Sequence, residues 1–115
     1  MAEAIMRHGD PVMIDYTPAS GNVAAGDVIL FGNLTGLTCV IAHRDLENNV
    51  KGAVAAGGGV YEVTNLNNAA DGAKVYWDGT KATTVSTNNA TFGFVVRDGG
   101  GGANSACFVL HHPYV

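Results

Sequence analysis

The chain has 115 residues, 47% of them hydrophobic and 14% charged, with a formal net charge of −4. That length suits one domain with a self-sufficient core, and the balance excludes a disordered tail. The six cations (Arg7, Arg44, Lys51, Lys74, Lys81 and Arg97) are scattered, which excludes the clustered positive charge of a nucleic-acid binder or a polybasic membrane patch.

Met1-Ala2-Glu3-Ala4 lacks the basic-then-apolar order of a secretory signal, and no apolar run approaches the roughly 20 residues of a membrane span. The expectation is a protein made and folded in a cytoplasm. Residues 1–8 read as an N-terminal arm or an edge strand ahead of a single β domain over residues 9–115. In Val12-Met13-Ile14-Asp15-Tyr16, positions 12, 14 and 16 share one face. Pro18 and Ser20-Gly21-Asn22 end that strand.

Val28-Ile29-Leu30-Phe31 is apolar at every position, as in a strand covered on both sides. Gly32-Asn33 supplies a turn, and Leu37, Cys39 and Ile41 mark the next strand. The polar run from His43 to Asn49 reads as an exposed loop. Val50 to Val54 is a strand whose internal Gly52 signals a bulge or a close approach. Gly57-Gly58-Gly59 precedes a strand from Val60 to Thr64, and one short helical turn is expected near Leu66 to Ala70.

The clearest hairpin is Lys74-Val75-Tyr76-Trp77 and Lys81-Ala82-Thr83-Thr84-Val85 around Asp78-Gly79, because Asp-Gly suits the positive φ of tight turns. Phe92 to Arg97 alternates its aromatics, Phe92 and Phe94, onto one face. Gly99 to Gly102 is a loop, and Ala106 to Leu110 is the last strand. No segment carries a helical apolar period. Short strands at regular spacing predict an all-β fold, a compact barrel or a sandwich of antiparallel strands with Gly-rich turns.

Neither glycine run is followed by the Lys-Ser/Thr of a phosphate loop. Ser20, Ser86 and Ser105 lack a nucleophile elbow. Cys39 and Cys107 sit in apolar runs and read as reduced, buried and unreactive. Cys39 and His43 are too far apart along a strand to pair. His111 and His112 point to opposite faces and read as an exposed terminal pair, with a metal site from His8 or His43 plus one of them as the alternative. The expectation is a protein that is not an enzyme and has no catalytic residue, cofactor or metal.

Three stretches in register carry a resemblance. They are Ile14-Asp15-Tyr16-Thr17-Pro18 with Val23 to Val28, the hairpin Gly72 to Thr84, and Phe92 to Val96 with Ala103 to Leu110. Together they resemble the phage capsid-cement (head decoration) family over residues 4–110. The loops Asn65 to Asp71 and Gly99 to Gly102 are more elaborate than that pattern, and His111 to Val115 extends past it.

The resemblance implies a virion structural protein on the outer capsid surface, binding the major capsid protein and stabilising the expanded head against DNA pressure. It also implies a homotrimer, without direct contact to nucleic acid or membrane. On that reading Ala2, Glu3, Ala4, Ile5, Met6, Arg7 and His8 would lie on the coat lattice as an arm or added strand, with an ordinary first strand as the other reading. Tyr76 and Val95 would serve the trimer contact or belong to the core, while Trp77 is expected in the core. The rival readings are a virion-surface glycan- or ligand-binding module using Tyr61, Tyr76 and Tyr114, and a minor tail component.

Overall fold

A computed structural model describes residues 4–31, 38–87 and 89–113. Ala2, Glu3, the Gly32-Asn33 turn, Leu37 and Tyr114 lie outside these residues, as does the side chain of His8. The described chain is all β. Its strands are β1 (Ile5–His8), β2 (Val12–Tyr16), β3 (Val28–Phe31), β4 (Thr38–Ile41) and β5 (Gly52–Gly57) in the first half. The second half holds β6 (Val60–Asn65), β7 (Lys74–Trp77), β8 (Ala82–Thr83), β9 (Ala90–Arg97) and β10 (Ser105–His111).

Five of these close on themselves. β6 pairs β8, β8 pairs β7, β7 pairs β9, β9 pairs β10, and β10 returns to β6, forming a closed barrel. Strand spacing left barrel and sandwich open, and the ring settles the choice. β4, β5 and β2 extend from β9 in that order, β3 pairs β4, and β1 lies along β6.

Alternation fills the barrel. Tyr61 and Val63 of β6, Val75 and Trp77 of β7, and Cys107, Val109 and His111 of β10 all point inward. Trp77 packs on Phe92 with ring centroids 5.4 Å apart. A second, smaller cluster holds Val40, Ala42, Leu46 and Val54, with Ile14, Tyr16 and Ile29 against it. Val28 packs on the barrel core and Ile29 on this second cluster, as an apolar strand covered on both faces requires, although Leu30 is exposed.

Local chemistry explains the turns. Asp78 Oδ1 accepts the amides of Thr80 and Lys81 at 2.9 and 2.8 Å, and Gly79 takes φ +113°. The turn after β6 is not helical. Asn65 donates its side-chain amide to the Ala69 carbonyl at 2.9 Å and accepts the Ala69 N–H at 2.8 Å, closing the turn through a side chain. Gly52 marks a close approach, since a Cβ there would collide with the Leu46 side chain.

Two irregularities in β9 change what parity alone predicts. Against β7 the pairing steps from Val75–Gly93 to Tyr76–Thr91 and skips Phe92. Phe92 is therefore buried while Phe94 is exposed, so the two aromatics do not share a face. Against β10 the pairing steps from Phe108–Arg97 to Val109–Val95 and skips Val96.

Candidate interaction surface

Strands β6, β9 and β10 set their inward residues into the core and leave most of the others outside. Directly paired residues of antiparallel strands share a face. One outer row therefore runs Ile5, Glu62, Phe108, Arg97 across β1, β6, β10 and β9, and the next runs Val60, Leu110, Phe94, Lys74 across β6, β10, β9 and β7. Ile5, Phe94 and Val96 are 41%, 36% and 40% exposed, with Val60, Phe108 and Leu110 half-buried between them.

The bulge at Val96 shapes this face. It places Val96 and Arg97, adjacent in sequence, both on the outside, where strict alternation would turn one of them inward. Arg97 Cζ then stands 4.0 Å from the centre of the Phe108 ring. Charges rim the face. Arg7 pairs with Glu62 at 2.5 Å, Arg97 with Asp98 at 3.9 Å, and Lys74 Nζ lies 5.5 Å from the Tyr76 ring centre. An apolar centre with a charged rim is the usual form of a protein–protein contact.

The residues singled out from sequence divide across this geometry. Ala4 is buried and donates its N–H to the Gly26 carbonyl at 3.0 Å, and Met6 packs on the core. Only Ile5 and Arg7 of the described N-terminal segment point outward, and His8 ends β1. The described part of the segment is thus an ordinary strand on β6. Tyr76 is half-buried beside the outer face, and Trp77 is in the core. Val95 corrects the trimer-contact reading: at 1% exposure it is core, because the slip at Phe92 turns Gly93 and Val95 inward. Its neighbours Phe94 and Val96 are the outward ones.

Two further corrections concern aromatic and imidazole side chains. Tyr61 is buried, so it cannot join an exposed aromatic platform. His111 is fully buried, not part of an exposed pair. Its strand parity with Cys107 and Val109 carried that signal. His111 Nε2 donates to the Cys39 carbonyl at 3.0 Å and lies 3.8 Å from Cys39 Sγ. Tyr61 and Phe92 flank the imidazole at 5.8 and 5.2 Å, and His43 Nε2 meets the Tyr61 hydroxyl at 2.6 Å.

This cluster joins β4 to the barrel and is poorly suited to nucleophilic attack. Burial pushes the Cys39 thiol up to about 12, and burial, followed by Asp71 and Asp98, raises Cys107 to about 11. Burial lowers His111 to about 4. The two thiols are free and buried. Among the described residues no group of three or more His, Cys, Asp or Glu side chains is placed to hold a metal ion.

Among protein families, the model described as Phage cement protein matches residues 6–110. No curated protein and no solved structure gives a match.

Proposed function

The chain belongs to the phage cement protein family and so to the components of the phage capsid, and from that premise we propose that it binds the outer surface of the assembled, expanded head and stabilises it against the pressure of packed DNA. The partner in this reading is the major capsid protein, and the bound form is a homotrimer that needs no catalytic step. The observation that carries it is the outer face of β1, β6, β10 and β9, where exposed Ile5, Phe94 and Val96 are rimmed by Arg7, Lys74 and Arg97. A ligand that binds only the expanded lattice stabilises that lattice by mass action. Several weak contacts held on one rigid trimer add up to firm attachment without any single tight site.

The glycan-binding alternative loses Tyr61 to the core, and nothing among the described residues favours it. The test is sedimentation of the purified protein with expanded and unexpanded heads of its phage, followed by thermal release of DNA from decorated and bare particles. Binding confined to expanded heads, with release shifted to higher temperature, is expected. Absence of binding to either particle sinks the reading.

A further inference from the structure

Val60, Val96, Arg97 and Phe108 line an open hollow of about 190 Å³ on the outer face. An apolar void of ~150 Å³ takes a benzene ring, so the hollow has room for one aliphatic or aromatic side chain. Its one charged wall is Arg97, whose guanidinium stands over Phe108 with the side chain 57% exposed. The Arg97–Asp98 pair at 3.9 Å is longer than a charge-assisted hydrogen bond, which leaves the guanidinium available to an incoming carboxylate.

Charge over the whole molecule points the same way. The face holds Arg7, Lys74 and Arg97 against Glu62 and Asp98, a net of +1. Outside the face the described residues hold three cations and seven carboxylates, a net of −4. Two copies meeting through this same face would bring like charges together. The opposite orientation, with the acidic side on the shell, would leave the apolar face in water. An acidic partner avoids both costs.

Resting on the reading that the chain binds the shell, we propose that this hollow is the anchor point for the coat: it takes one apolar side chain from a coat-subunit segment whose neighbouring carboxylate pairs with Arg97. Arg97 and an aromatic wall around a small pocket are the ingredients of an interface hot spot. The bulge at Val96 is what builds the pocket, because it puts Val96 and Arg97 on the same side.

The experiment is quantitative cosedimentation with expanded heads across a salt series, alongside light scattering of the free protein. Arg97→Glu and Val96→Gln alter surface side chains, and circular dichroism checks that both variants fold. Each is expected to weaken shell binding ~10-fold or more, with the free protein unchanged in size. Arg97→Glu should also flatten the salt dependence, while Arg44→Glu, exposed and outside the face, binds as the unaltered protein does. Unchanged binding by Arg97→Glu and Val96→Gln overturns the proposal. So does a change in assembly state of the free variants, which would assign the hollow to a second copy. If the unaltered protein itself does not bind heads, the cement reading fails before the hollow is tested.

Discussion

Acid tests the packing around His111. Its imidazole is enclosed by Tyr61, Phe92 and Cys39, and no partner meets Nδ1 among the described residues. A second proton would create a buried cation without a counter-charge, and His43, beyond the Tyr61 hydroxyl, and the adjacent His112 oppose it further when charged. The folded-state value is lowered from 6.5 to about 4, chiefly by burial. As pH falls below 6.5 the unfolded chain takes up the proton first, so this contribution to stability is complete above 6.5 and is lost on the way down to about 4.

The whole drop corresponds to about 3 kcal/mol, of which ~2 kcal/mol is lost between pH 7 and pH 5. Urea unfolding followed by Trp77 fluorescence at those two pH values measures it. The carboxylates titrate in every variant, so the informative quantity is the difference between the unaltered protein and His111→Gln. Burial also lowers His43, and His43→Gln separates its share. Equal losses in the unaltered protein and His111→Gln, or a His111 proton resonance titrating near 6.5 in the folded state, would refute the reasoning.

Four further outcomes are expected. At Gly93 a Cβ would fall on the Leu110 carbonyl oxygen and lie 3.0 Å from the His112 nitrogen, so Gly93→Ala should cost ~3 kcal/mol or more in urea unfolding. Gly79→Ala meets open space at φ +113° and should cost only ~1 kcal/mol by the same assay. Asp78→Ala removes the acceptor of the Thr80 and Lys81 amides and should lower stability by ~1 kcal/mol. Cys39 and Cys107 should resist alkylation at pH 8 in the native protein and react only as fast as the chain unfolds, which mass spectrometry of pulse-labelled protein checks.

Much of the fold was legible because strands and turns are written locally. The Asp78-Gly79 hairpin, the two-faced strand at Val28, the close approach at Gly52 and the buried thiols all follow from residues a few positions apart. The outer face was not legible, because it depends on which strands become neighbours and on a bulge that reverses parity. Phe92 and Phe94 have the spacing of one face, yet the slip against β7 sends them to opposite sides. That slip also turns Val95 into the core, and the slip against β10 keeps Arg97 on the surface beside Val96. His111 was readable from its parity with Cys107 and Val109. Its partner Cys39 was not, since 72 residues separate them and the pairing of β4 with β9 brings them together.

Closure of the barrel also has a temporal side. β6 to β9 emerge in sequence, but the ring is complete only when β10 inserts between β6 and β9. A nascent chain that stops before Ser105 would leave both of those strands with an open edge, and it would lack Phe108 and Leu110, which sit at the centre of the outer face. The outer face and the finished barrel are therefore completed by the same strand. Chains ending before β10 would lack the closed ring and the centre of the outer face together, so on the proposed reading they could not dock.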